Sequence, residues 1–136
     1  MFYCKPFVDS LENWVTVWIG DLNEEEMAEY LDELGGVSDN EPISKFSKDL
    51  GRWYDHDFIW YECSDDKLTV QEQCINVGIE SNSLQQEIIN SSPADKIKSI
   101  LILWNSKVVC DLDKRVFAGG QLICLGSWSE ESPLTD

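Results

Sequence analysis

Asp55, His56 and Asp57 stand side by side in the stretch where acidic, basic and aromatic side chains crowd together, Lys45 to Glu62. His56 is the only histidine of the chain, and Trp53, Tyr54, Phe58, Trp60 and Tyr61 lie within the same stretch. In an extended backbone Asp55 and Asp57 point the same way, and Glu62 is close by in sequence. Paired carboxylates of this kind bind a divalent metal or exchange protons with a substrate. A metal would want a third or fourth ligand at a clear spacing, and none is offered. No triad forms around His56 either, because no Ser sits in a nucleophile elbow and no Cys in a catalytic context. A metal-dependent hydrolase using Asp55, His56 and Asp57 is therefore the alternative reading. The first reading is a non-enzymatic acidic, aromatic turn that grips a partner.

The charge supports a partner of opposite sign. The chain has 136 residues and a net charge of −16. Residues 1–66 hold 17 acids and 4 bases, and residues 67–136 hold 9 acids and 6 bases. Such a field repels nucleic acid and anionic membrane surfaces and draws in cations and basic proteins. The aromatic residues interleave with Asp and Glu rather than with Lys and Arg, so binding of single-stranded nucleic acid is excluded. Trp and Tyr beside carboxylates match the make-up of protein interfaces, in which the rings anchor and the acids pair with basic groups opposite. Trp53 and Tyr54 are the candidate anchors, with Asp55, His56, Asp57 and Glu62 as polar contacts. The isolated glycines spell no phosphate loop, and no cofactor is implied.

The elements that must position these groups can be read in order. Residues 1–12 form a peripheral lead-in. Asn13 to Gly20 reads as a central strand, with Val15, Val17 and Ile19 on one face and Trp14, Thr16 and Trp18 on the other. Asn23 caps a helix whose first turn is Glu24-Glu25-Glu26, with Glu26 completing a variant capping box. Met27, Tyr30, Leu31 and Leu34 make its apolar stripe, and Gly35-Gly36 stops it. Its outer face carries Glu25, Glu29, Asp32 and Glu33 with no base at i+4, an alternative acidic patch for a partner.

A second short helix is expected from Pro42, with Ile43, Phe46 and Leu50 inward and Gly51 closing it. A strand over Asp57–Cys63 and a turn at Ser64–Lys67 follow. Thr69 caps a helix ending at Gly78, and Ser81-Asn82-Ser83 opens another with Leu84, Ile88 and Ile89 inward. Ile97 to Asn105 reads as a fully buried strand, and Gly119-Gly120 as the turn of a C-terminal hairpin. The expected fold is α/β (α+β): one mixed sheet of about four or five strands with about four helices, mainly on one face. It is a single domain over 1–136, with its core over 13–130 and residues 129–136 peripheral.

The five cysteines show no Cys-x-x-Cys spacing, and their odd number argues for free thiols in the core. No apolar run approaches the ~20 residues of a membrane span. Met1 to Pro6 lacks the features of a secretory signal, so a cytoplasmic protein is expected.

Several of these motifs occur together in one known family. Trp14-Val15-Thr16-Val17-Trp18-Ile19-Gly20, the acidic helix ending in Tyr30-Leu31, Ser44 to Gly51, Tyr54-Asp55-x-Asp57-Phe58, Ile100 to Asn105 and Leu122 to Trp128 resemble the immunity protein 22 family. The resemblance spans about residues 13 to 130. It implies a bacterial immunity protein of a polymorphic-toxin or contact-dependent inhibition system, which neutralises the C-terminal domain of a cognate toxin in the cytoplasm. His56 stands where the family pattern leads one to expect an acid, and Arg52-Trp53 replaces an apolar-aromatic pair. The charge makes a basic nuclease the expected toxin. An acidic nucleic-acid mimic that inhibits host DNA enzymes is a further alternative, separated by its binding to several basic proteins rather than one.

Overall fold

Two strands that are apolar on both faces set the architecture. β1 (Val8–Gly20) and β3 (Lys96–Val108) pair antiparallel, Val8–Ser10 against Ser106–Val108 and Val15–Gly20 against Ser99–Trp104. The computed structural model describes residues 6–32, 44–51, 54, 58–111 and 116–129. β2 (Ile59–Thr69) joins the outer side of β3 and β4 (Leu122–Ser129) the outer side of β1, giving the order β2-β3-β1-β4. This is an α+β fold with one sheet of four strands. Every pairing is antiparallel, where a mixed sheet was expected. The chain between β2 and β3 holds two helices, and a second reversal returns it antiparallel where a one-helix crossover would make it parallel.

Both faces of the sheet are covered, two helices to each, rather than mainly one face. α1 (Glu24–Leu31) and α2 (Lys45–Leu50) bury Met27, Tyr30, Phe46 and Leu50 against Trp18, Leu101 and Leu103. α3 (Val70–Val77) and α4 (Asn82–Ser91) bury Val70, Cys74, Leu84 and Ile88 against Val15, Val17, Ile100 and Ile102. The alternation along β1 makes this necessary. Val15, Val17 and Ile19 serve one face and Trp18 the other, so neither side can be left wet without exposing large apolar area. Trp18 is the hub of the first core, with ring centroids 5.0 Å from Phe46 and 5.4 Å from Phe117.

The caps behave as the sequence predicts. Asn23 Oδ1 accepts from Glu26 N–H at 2.7 Å, and Glu26 Oε1 accepts from Asn23 N–H at 3.0 Å. Thr69 and Glu72 form the same reciprocal box at α3, and Ser81 caps α4. α2 opens at Ser44, whose hydroxyl accepts from Ser47 N–H, and not at Pro42, which lies outside the described residues with Ile43. α1 closes at Leu31; Leu34 and Gly35-Gly36 also lie outside the described residues. The C-terminal hairpin is a single bridge between Phe117 and Leu122. Its loop is the four residues 118–121 rather than a two-residue Gly119-Gly120 turn, with Ala118, Gly119 and Gly120 at positive φ of 50°, 64° and 95°.

β1 starts earlier than its β-propensity showed. Phe7, in the expected lead-in, is fully buried; its N–H donates to Leu50 O and its carbonyl accepts from Val109 N–H. The ladder breaks between Ser10 and Val15, so that Leu11 to Trp14 lie opposite Asn105 alone. Asn13 and Asn105 absorb the break with φ of 66° and 58°, a region Asn tolerates better than most residues. β2 is also longer than expected. It runs through the expected turn to Thr69, with a shift in pairing between Cys63 and Leu68. Gln73 fixes that shift, its Nε2 donating to Ser64 Oγ at 3.0 Å and to Lys98 O at 3.0 Å.

Two outcomes test this packing. Gly78 has φ +103°, and a Cβ there would sit 2.8 Å from the Trp60 ring. Gly78→Ala should lower unfolding free energy by about 1–3 kcal/mol in urea titration. Burial pushes the thiols of Cys74 and Cys124 up to about 12 from 9.0. The folded state therefore keeps protons that the unfolded state loses above pH 9. The stability these thiols contribute is complete below pH 9 and is lost as pH rises towards 12. The urea midpoint should fall over that window, and less steeply in a Cys74→Ala, Cys124→Ala variant.

Candidate partner-binding surface

The surface is built where α1 leans on β2. Alternation along β2 sends Tyr61 and Cys63 to the α1 face and Trp60 to the α3 face. Glu62 lies on the α3 side too, beside Asn76 and Gly78 at the end of α3. Tyr61 is half-buried, and its hydroxyl reaches the first turn of α1, donating to Glu24 Oε1 at 3.0 Å. Burial first, and then this bond and the Glu24 charge, raise the Tyr61 phenol above its ordinary value and keep it a donor. The capping box fixes Glu26 one turn along. The two acidic patches read separately in the sequence, α1 and Glu62, therefore flank the same strand, Glu24 over the α1 face of β2 and Glu62 on its α3 face.

Cys63 registers the local field. Its thiol is pushed up to about 12, first by burial, then by the carboxylates of Glu24, Glu62 and Glu26. Among the described residues no base sits within ion-pair distance of these three acids. The pairs formed by described residues are Lys45 with Glu29 at 3.1 Å and Lys67 with Asp21 at 3.8 Å. Glu29 thus has a basic partner from α2, which the i+4 spacing could not reveal. Glu25 on α1 and Asp32 just past its C-terminal end are exposed.

A buried node holds α1 in place. Tyr30 is 5% exposed, and its hydroxyl donates to Asp49 Oδ2 of α2 at 2.6 Å. The Ala118 N–H donates to both oxygens, at 3.2 and 3.1 Å. Burial, reinforced by the Asp49 bond and charge, drives the Tyr30 phenol far above its ordinary range, so it stays protonated. The node ties α1, α2 and the C-terminal turn together, and so sets the pose of Glu24 and Glu26 over β2.

The expected anchors fare differently. Tyr54 is 7% exposed, and its ring lies 5.3 Å from Phe46 with its hydroxyl 3.2 Å from Ser44 Oγ. It is a core residue and not an outward anchor: its ring joins Trp18, Tyr30 and Phe117 around Phe46. Trp53, Asp55, His56, Asp57 and Glu33 lie outside the described residues. Glu24, Glu26 and Tyr61 are the members that residue-by-residue reading missed. Glu24 and Tyr61 are 37 positions apart, and no local spacing joins them. Comparison with protein-family models, with curated proteins and with solved structures finds no match to this chain. Among the described residues, no helix is long and apolar enough to cross a membrane.

The field around Cys63 is open to measurement. Its alkylation by iodoacetamide, followed by peptide mass spectrometry, should keep accelerating through pH 10, with no plateau near pH 9. A Glu24→Gln, Glu62→Gln variant should react faster than the native chain at pH 9, because two of the charges that hold the proton are gone.

Proposed function

We propose that the chain is an immunity protein of the immunity protein 22 type, which binds and neutralises a cognate toxin domain in the bacterial cytoplasm. The observation that carries the reading is the acidic flank of β2, with Glu24 bonded to Tyr61 on one face and Glu62 on the other, on a chain of charge −16. The order of the sequence motifs given above supports it. A carboxylate margin of this kind complements the basic cleft with which a nuclease holds phosphates, and a dense like-signed field speeds encounter with it. Neutralisation by binding needs no catalytic group. The tightness of the complex rests on a few desolvated anchors, for which Trp53 and Trp60 are the aromatic candidates, while the acids govern rate and choice of partner.

The test is protection of cells that express the toxin domain encoded beside this chain. The native chain should restore growth, and Glu24→Lys with Glu62→Lys should slow association by about tenfold or more at low salt while leaving the fold intact. Unchanged association would remove the acidic margin from the account. A tight cognate toxin domain that is neutral or acidic would contradict the nuclease assignment.

A further inference from the structure

We propose that the outer edge of β2, over Ile59–Cys63, receives an extended segment of the partner bearing Lys or Arg as a fifth strand of the sheet. This rests on the reading of the chain as a partner-binding protein and specifies how binding occurs.

Five observations converge on it. Among the described residues β2 pairs with β3 alone, so alternate N–H and C=O groups along its other side point away from the sheet. The stretch Ile59–Cys63 is five residues of regular ladder before the pairing shifts. β4, the other edge, is interrupted by a bulge between Cys124 and Gly126 and offers only shorter runs on either side. Sheet edges are commonly blunted by Pro, by bulges or by Lys, and Ile59–Cys63 has none of these. An open groove of about 440 Å³ runs beside this stretch, walled by Ile59, Trp60, Glu62 and Val77. It offers apolar walls to every second side chain of an incoming strand, as strand addition requires.

Charge selects the occupant. A second copy of this chain laid edge to edge would bring Glu62, Asp65 and Asp66 of one β2 near those of the other, which is repulsive. A strand with Lys or Arg at alternate positions carries all of them on one face of the sheet, where their stems lie along the groove and their charges meet Glu62, while Glu24 adds its field from the other face. The carboxylates thus protect the edge from self-pairing while leaving it open to a basic segment.

The probe is the peptide acetyl-Lys-Val-Arg-Val-Lys-Val-Arg-amide, with its Glu-substituted counterpart as control, added to the isotope-labelled full chain. At millimolar peptide the amide signals of Ile59–Cys63 should shift and their hydrogen exchange should slow at least tenfold, with no such change for the acidic peptide. Glu62→Lys should weaken binding by roughly threefold or more, and Asp65→Lys, in the exposed part of β2, should weaken it in the same direction. Each variant is judged native by an unchanged spectrum away from β2. Perturbation centred elsewhere, equal binding of the acidic peptide, or no change along β2 would overturn the proposal. Neither peptide is a toxin, so this test can fail while the chain still protects cells from its toxin, and the two failures are distinguishable.

Discussion

β1 and β3 bury side chains on both of their faces, and the rest of the molecule answers that constraint. Trp18 on one side of β1 and Val15, Val17 and Ile19 on the other are all within 2% of full burial. A two-layer arrangement would leave one set in water, at a cost of order 25 cal/mol per Å² of apolar surface. Two helices are therefore needed above the sheet and two below. The caps, the Phe46 and Phe117 rings around Trp18, and the Tyr30–Asp49–Ala118 node are the means by which those helices are seated. Inside the sheet, Thr16 Oγ1 satisfies itself against Ser106 Oγ at 2.9 Å and Ser127 Oγ at 2.8 Å, so a polar side chain sits between three strands with its bonds made.

Once both faces are covered, polar capacity is left at the edges. At β2 the edge meets the N-terminal turn of α1, where Glu24 and Glu26 answer the positive end of the helix. The same residues thus serve a local purpose, starting a helix, and a wider one, making the β2 margin negative. The Tyr61 hydroxyl bonds Glu24, and the Cys63 thiol is held protonated first by burial and then by the neighbouring carboxylates. Such a margin is poorly suited to nucleic acid and well suited to a basic protein surface.

Much of the fold was legible in the sequence, for physical reasons that differ by element. The capping boxes at Asn23 and Thr69 are local, three residues wide, and were readable without tertiary context. The two-faced pattern of β1 and β3 announced their central places, and the glycines at 119 and 120 marked the C-terminal turn but not its four-residue length. Phe7 and Val8 escaped because the Leu11–Trp14 bulge breaks the alternation that would have extended β1 backward. The continuation of β2 through Ser64–Lys67 escaped because Ser, Asp, Asp and Lys read as a turn, whereas the bonds of Gln73 and Ser64 that hold them in the strand come from other elements. The same divide runs through the candidate surface. The acids of α1 and Glu62 were each identifiable as charges, but the seat of α1 beside β2 depends on Tyr61 reaching across to Glu24. Tyr54 was placed among the anchors because an aromatic next to an acid has the same composition in a core as in an interface.

Docking at the acidic β2 margin is tested most directly by hydrogen–deuterium exchange of the chain alone and mixed with the proposed toxin domain, followed by mass spectrometry. Exchange should slow in the first turn of α1, Glu24–Glu26, and along Ile59–Cys63, with α4 and β4 unchanged. Protection confined to α4 or to the β4 edge, with the β2 margin exchanging as in the free protein, would contradict it.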